Sequence, residues 1–310
     1  MGMAAGLASA VETDSAAFTG TVWAQGVTRE SGWYDAQKNH PYNGDADDLM
    51  CYAACAANLI AWWQKSEYAQ HLTSAAPKDI DRIWQTYVNS NLKMEGGDTP
   101  AAVNWWISGV YAPTTDADWG RYHAEKFKEY LPLTLPRTNG YYYDQYGLTS
   151  QDLSSLIFDA WIYGEWSKDG DAEIDFRKLF ESGACLSLAI IFPDADLGHA
   201  ITLWGVEYKN GALTRLWVTD SDDYWSPEPT IFGVSVSEGA DGKIHITGTE
   251  YDEEATDEYP AWKYYEGAYI DSVYAIMAPA SANWKLVPEP STATLSLLAL
   301  AALSARRRRK

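Results

Sequence analysis

Basic residues are scarce in this chain. Lysine and arginine number 23 against 43 aspartates and glutamates, giving a net charge of -20 over 310 residues. Binding nucleic acid needs a Lys/Arg surface to meet the phosphates. No such surface precedes the last five residues, so no nucleic-acid partner is expected. Cysteine is scarcer still: Cys51, Cys55 and Cys185 are the only three. An odd number means that one thiol stays free, pairs with another molecule or reacts. Internal repeats are absent, and no Gly/Ser linker divides residues 20–280. The acidic clusters at Asp45–Asp48, Asp116–Asp118 and Asp169–Asp175 lack an EF-hand pattern and read as solvated loops. What is present excludes general disorder: 46% hydrophobic and 21% charged residues are globular values. Aromatics are abundant, with 15 Trp and 21 Tyr. They fit either a Trp-rich core or a surface that grips extended peptide or sugar.

The two ends differ from the body. The N-terminal apolar stretch closes on Ala8-Ser9-Ala10, a small-x-small triplet like a signal-peptidase site, without a basic region before it. Residues 1–19 therefore read as a signal-peptide remnant or a disordered N-terminus. At the other end, Val287-Pro288-Glu289-Pro290-Ser291 leads into fourteen mostly apolar residues, Thr292 to Ala305, and then Arg306 to Lys310. Fourteen falls short of the roughly 20 that a spanning helix needs. The arrangement over 287–310 closely resembles the PEP-CTERM sorting signal. That resemblance implies an exported protein, transiently anchored in the membrane, cut by an exosortase-type peptidase and released to the surface or exterior. An ordinary C-terminal anchor also implies export. Residues 288–310 carry a local charge of +4, so the remaining 287 residues hold -24.

Within the body, the first half reads mostly helical. Helical spacing covers Leu49–Ser66, Asp79–Asn89, Asp98–Tyr111, Gly120–Tyr130, Thr149–Tyr163 and Ala172–Ser182. Asp98-Thr99-Pro100 is a helix start signal. From Cys185 the pattern changes to strands: Leu186–Phe192, Ala200–Tyr208, Leu213–Thr219, Phe232–Val236, Lys243–Thr247 and Ala268–Met277. Asn210-Gly211 and Asp241-Gly242 are hairpin turns. Helices first and an antiparallel sheet afterwards predict an α+β domain.

Cys51 sits in the first turn of the helix that Asp47-Asp48 opens. Backbone N–H groups and the helix dipole there favour a thiolate, the nucleophilic form. Cys55, one turn further in, and Cys185, at a strand start, are expected to be buried and unpaired, with a disulfide between them as the alternative. A cysteine nucleophile needs a base, and the base needs an orienting group. His40, His71, His123 and His245 lie in polar or irregular surroundings, whereas His199 heads a strand in Gly198-His199-Ala200-Ile201-Thr202-Leu203-Trp204-Gly205. The hairpin partner ends in Thr219-Asp220-Ser221-Asp222-Asp223, and the turn at 210–211 returns that end beside His199. Taken singly, each signal has a plainer reading: a core histidine, a solvated turn, or a calcium site built from hard oxygen ligands.

The order of these three residues resembles that of papain-like proteases. Two blocks carry a narrower likeness. Val22-Trp23-Ala24-Gln25-Gly26, Gly32-Trp33-Tyr34-Asp35-Ala36-Gln37-Lys38, Asp47-Asp48-Leu49-Met50-Cys51-Tyr52-Ala53-Ala54 and Asn58-Leu59-Ile60-Ala61-Trp62-Trp63 form the first. Gly198 to Gly205 with Val218 to Asp222 form the second. Together, over roughly 70 of the 310 residues, they resemble the bacterial IgG-degrading cysteine endopeptidases (IdeS/Mac). The resemblance implies a papain-like α+β fold over 20–284, its helical first half carrying the nucleophile and its antiparallel sheet carrying His and Asp. It implies Cys51 as nucleophile, His199 as general base and later acid, Asp220 orienting the imidazole and Asp222 supporting the site. Lys38 would help the Cys51 N–H hold the oxyanion. The chain departs from the family by added residues between Lys38 and Asp47, which makes His40 the fallback donor. Tyr52 stands where the family has Gly, and Gly198 where it has Asn. No cofactor or metal is called for, and the partner implied is a protein substrate such as an immunoglobulin. The competing reading is a non-catalytic, aromatic-rich surface module that binds glycan or protein.

Overall fold

The computed structural model describes residues 18–38, 47, 49–70, 72, 75–90, 97–108, 140–142, 157–161, 174–192, 197–222, 229–250, 265 and 267–277. In chain order the elements are β1 (Gly20–Trp23), α1 (Cys51–Trp63), α2 (Glu67–Gln70), α3 (Ile80–Val88), α4 (Thr99–Ser108), β2 (Ile157–Trp161) and α5 (Phe176–Glu181). The strands β3 (Ala184–Phe192), β4 (Leu197–Lys209), β5 (Ala212–Thr219), β6 (Phe232–Glu238), β7 (Ile244–Thr249) and β8 (Tyr269–Met277) follow.

The β4–β5 hairpin turns at Asn210 (φ 53°) and Gly211 (φ 82°). Positive φ at both central residues suits the right-handed twist of the flanking strands. This turn sets Lys209 opposite Ala212 and Thr202 opposite Thr219. Along that pairing β4 slips register at Leu203/Gly205 and again at Glu207/Tyr208. Such irregularities bend a strand and raise its twist. The bent β4 pairs with β3 through its first half and with β5 through its second. The ring β4-β3-β8-β7-β6-β5 thereby returns to β4 as a closed antiparallel barrel of six strands. Its thinnest seam is β7–β8, where His245 faces Tyr269 and Ile246 N–H reaches the Ala268 carbonyl at 2.9 Å. Strand β1 adds to β4, and the Trp23 ring lies over Gly205, where a Cβ would come within 2.5 Å of it.

This closed barrel overturns the papain-like α+β fold with a helical first half, because strand outweighs helix among the described residues and the strands close on themselves. Periodicity marks individual strands but carries no information on whether the last meets the first. Closure here depends on the bends in β4 and on β8 lying between β3 and β7. Within the first half, Thr149–Tyr163 is not one helix, since Ile157–Trp161 is strand β2, antiparallel to β8 from Ile157–Ile276 to Trp161–Ser272. β7 meets β8 only at Tyr269, so β2 takes the rest of that edge, and a free ladder overrides a local helical pattern. Residues 1–17, the predicted helix 120–130 and the acidic cluster 116–118 lie outside the described residues.

Helices α1, α3, α4 and α5 occur where helical spacing indicated, within shorter bounds. Asp79, Asp98 and Asp175 accept from the backbone N–H groups of Arg82, Ala101 and Lys178 at the starts of α3, α4 and α5. Asp175 is thus a helix cap rather than part of a solvated loop. Helix α1 is buried along its whole length after Cys51, between the barrel and helices α3 and α4. Trp62, Trp63, Trp106, Trp204, Tyr52, Tyr87 and Tyr142 are fully buried, and Tyr87 stacks on Trp106 at 5.4 Å. Among the described residues the aromatic excess therefore belongs largely to the core, and Leu49 is the one exposed large hydrophobic.

Candidate active site

Helix α1 begins at Cys51, with Met50 as its N-cap and no side-chain cap. The turn before it is closed by Met50 N–H to the Asp47 carbonyl, 2.9 Å. Asp47 is itself buried, in contrast to the solvated loop expected for its cluster, and Asp48 lies outside the described residues. As the first helical residue, Cys51 has a backbone N–H with no acceptor inside the helix. Its side chain is partly exposed, while those of the next twelve residues are buried.

The hairpin delivers the other groups. His199 near the start of β4 and Asp220 just past the end of β5 meet at 2.7 Å, His199 Nε2 to Asp220 Oδ1. Asp220 is fully buried and also accepts from the Asp222 N–H (2.9 Å) and from the Tyr265 hydroxyl. Asp222 Oδ1 lies 2.6 Å from Lys38 Nζ, and its Oδ2 lies 3.6 Å from His199 Nδ1. The Lys38 backbone N–H bonds the Ser221 carbonyl at 3.1 Å, which ties the 33–38 segment to the same loop. Cys51 and His199 are hydrogen-bonded through their side chains. Because Nε2 serves Asp220, the thiol is left with Nδ1. The five residues Cys51, His199, Asp220, Asp222 and Lys38 thus lie in one cluster. His40, the alternative to Lys38, lies outside the described residues, as do His71 and His123.

Electrostatics divides these groups. Burial pushes the Cys51 thiol up, but the His199 imidazolium, its hydrogen bond, the Ala200 N–H and the Lys38 ammonium bring it below its ordinary value. Burial disfavours the charged imidazole of His199; the Asp220 and Cys51 charges and hydrogen bonds override this and hold its pKa well above 6.5. Burial likewise works against ionised Asp220, yet His199, Tyr265 and the Asp222 N–H keep it lower than usual. Asp222 goes the other way: burial and the Asp220 charge raise it, against His199 and Lys38. The two shifts run in the directions that favour a thiolate beside an imidazolium, the ionisation that nucleophilic attack by sulfur requires.

His199, Asp220 and Asp222 offer ligand atoms within 4.8 Å of one another, the spacing of a metal site. Here Asp222 already meets the Lys38 ammonium and Asp220 meets the imidazole. With both carboxylates matched by protein cations, the cluster suits proton transfer better than metal binding.

Three further residues at the site have no role assigned from the sequence. Tyr265 bonds Asp220, but it lies 45 residues away in a run of aromatics that gives no signal. Asp35 is buried, accepts from Thr230 N–H (3.0 Å) and Gln37 Nε2 (3.4 Å), and has a pKa raised to about 7 by burial and by Asp220. Asn58 is the only amide in the apolar helix CYAACAANLIAWW, and that isolation is a signal a sequence can show.

Two comparisons with known proteins bear on the chain. A family profile described as the PEP-CTERM protein-sorting motif matches residues 286–310. That motif implies recognition by an exosortase-type sorting system and marks an exported, membrane-processed protein. Among the described residues no helix is long and apolar enough to cross a membrane. The chain is also 26% identical over 223 residues to an IgM protease of Streptococcus suis, an alignment that takes in 62% of this chain and 18% of that protein. The chain therefore matches less than a fifth of that curated relative's length. The comparisons give an exported chain with a distant likeness to a protease.

Proposed function

We propose that this protein is an exported cysteine endopeptidase that hydrolyses peptide bonds of a protein substrate. The observation that carries the reading is Cys51 at the first position of α1, bonded to a histidine that is bonded in turn to a buried aspartate. The Cys51 thiolate attacks the scissile carbonyl carbon, and its electrons pass to the carbonyl oxygen. The Cys51 N–H, which has no acceptor within the helix, is available to that oxygen at the helix start, where the dipole also favours negative charge. His199 Nδ1 gives its proton to the leaving amine as the tetrahedral adduct collapses to a thioester. A water then attacks the thioester while His199 takes its proton, and the acid product leaves Cys51 as thiolate. Asp220 holds the imidazole through Nε2 and stabilises its charged form.

Besides the part in holding the oxyanion that the family resemblance implies, Lys38 has a second one. Its ammonium meets Asp222 at 2.6 Å, so it also acts as a fixed charge near Cys51 and as an anchor for Asp222. The substrate reading is an immunoglobulin, as for an IdeS/Mac-type enzyme. Its support is the paired sequence blocks and the likeness to a protease named for IgM. No observation among the described residues favours the aromatic binding module, because the large aromatics are largely interior. The test is to incubate reduced protein and Cys51→Ala with IgG, IgA, IgM, casein and mucin. Discrete fragments that require Cys51 and vanish with iodoacetamide are expected; cleavage retained by Cys51→Ala would end the assignment.

A further inference from the structure

We propose that Asn58 is a positioning residue of the site, which sets the register of α1 on the barrel and so the alignment of Cys51 with His199. The inference rests on the catalytic reading above and assigns a role to a residue outside the reacting groups.

Helix α1 packs almost entirely through small and apolar residues, from Ala53 to Trp63. Apolar packing is non-directional, so an Ala-rich surface of this kind does little to fix how far a helix slides or rotates. A nucleophile at the end of such a helix needs directional contacts to hold it within a few tenths of an ångström of its base. Cys51, Cys55 and Asn58 recur at spacings of four and three and so share the face turned to the barrel.

That face meets a row of hydroxyls. Ser187 on β3 is the register partner of Thr202 on β4, and Thr202 is the partner of Thr219 on β5. All three are buried, as is Asn58. Asn58 Nδ2 donates to Thr202 Oγ1 at 3.0 Å and to Thr219 Oγ1 at 3.5 Å. Its Oδ1 accepts from the Ala36 N–H at 2.8 Å. Thr219 Oγ1 donates to the Tyr34 carbonyl at 2.9 Å and accepts from Trp204 Nε1 at 2.9 Å. With Asn58 as a second donor, that hydroxyl has one bond for its proton and one for each lone pair. The Cys55 thiol bonds Thr202 and Ser187 and extends the row.

One amide therefore joins the four segments that carry the site. Its own helix carries Cys51, and Thr202 lies three residues after His199 on β4. Thr219 immediately precedes Asp220, and Ala36 lies two residues before Lys38. A fully satisfied buried network of this kind favours one arrangement over its slipped neighbours, because any shift leaves polar groups unpaired in the interior.

The test follows Cys51 ionisation by the pH dependence of iodoacetamide alkylation, read by mass spectrometry at Cys51, with circular dichroism and a Tm for each variant. Wild type is expected to alkylate rapidly at pH 6. Asn58→Ala and Thr219→Val are expected to remain folded and to alkylate Cys51 at least about tenfold more slowly at that pH, their midpoints moving towards an ordinary thiol. Thr219→Ser, which keeps the hydroxyl, is expected to restore a profile near wild type; a loss of packing alone would not be rescued this way. If Asn58→Ala fails to fold, the Thr219→Val and Thr219→Ser pair decides. Folded variants with alkylation profiles unchanged from wild type overturn the role of Asn58 and leave the catalytic reading standing. An unreactive wild-type Cys51 at pH 6 overturns the catalytic reading and the role of Asn58 with it.

Discussion

Cys51 and Cys55 lie one turn apart on the same face of α1, and their thiols behave oppositely. Burial disfavours the thiolate of both. At Cys55 hydrogen bonds from Thr202 and Ser187 relieve little of that cost, and the negative charges of Cys51 and Asp220 add to it, so its thiol is pushed far up. Cys185, on β3, is likewise raised well above its ordinary value by burial. At Cys51 the His199 imidazolium and the Lys38 ammonium reverse the balance. The comparison separates two properties that the sequence alone merges. Being on the helix face towards the barrel makes a cysteine interior; being within reach of a cation lowers its pKa.

The largest contrast should come from removing each thiol. Cys51→Ala is expected to lower proteolysis by about a thousandfold or more, to background. Cys55→Ala should keep activity within about tenfold and cost about 1–2 kcal/mol of stability through lost packing. Fragment yields and urea midpoints on both variants check this. Equal losses of activity, with both variants folded, would mean that the two thiols are not functionally distinct.

Asp220→Asn should make Cys51 resemble Cys55. The amide leaves His199 without its carboxylate, so the imidazole loses what holds its pKa up and the thiol loses its cation. A fall in kcat of about 10³–10⁴-fold is expected. The pH profile should move as well. In wild type the ion pair exists above the lowered Cys51 pKa and below the raised His199 pKa, so activity occupies the window between them as a property of the pair. The same groups shape stability. The contribution of His199 is full below its unfolded value near 6.5 and is lost as pH rises through the folded value. That of Asp220 is present above 3.8 and is lost as pH falls through its depressed value. Asp220→Asn should remove both dependences, and retention of the wild-type window would contradict the pairing.

The grouping of the candidate site residues was more legible in the sequence than the architecture. Cys51, His199 and Asp220 stand out because each needs a particular residue type at the end of an element, and element ends are marked by turns and periodicity. The Asn210-Gly211 turn alone aligns the His199 and Asp220 ends of one hairpin. Barrel closure left no such mark, because it arises from two register slips in β4 and from strands far apart in sequence meeting at β8. Strand β2 read as helix because its state is decided by the open edge of β8 rather than by its own residues. Tyr265 and Asp35 were hidden for the same reason, since each acquires its role from a partner 45 or 195 residues away.

Asp35 extends the comparison to a carboxyl group. Like Cys55 it is dominated by burial, with Asp220 adding to the shift, and its pKa of about 7 keeps it largely protonated through the acid range. The folded state then binds a proton that the unfolded chain has released, so stability falls as pH rises from about 4 to about 7. The full shift corresponds to at most about 4 kcal/mol. Asp35→Asn preserves the acceptor for the Thr230 N–H and removes the titration. Urea unfolding at pH 4, 5.5 and 7 should show a shallower decline in the variant than in wild type. Parallel declines would assign the slope to other groups, Asp222 among them.

Tyr265→Phe is the finest probe, because it changes one hydrogen bond to the carboxylate that separates the two thiols' fates. The hydroxyl helps keep the buried Asp220 ionised, and hydrogen bonds to charged groups contribute about 1.5–3 kcal/mol. Losing it should raise the Asp220 pKa and slightly weaken the hold on His199. His199 Nε2 and the Asp222 N–H remain on the other oxygen, Oδ1, so the carboxylate stays in place. A decrease in kcat of about tenfold is expected, with KM little changed and the acid limb of the pH profile moved to higher pH. A tenfold rise in KM at constant kcat would instead place Tyr265 in substrate binding, and the ionisation of Asp220 would then rest on His199 and the backbone alone.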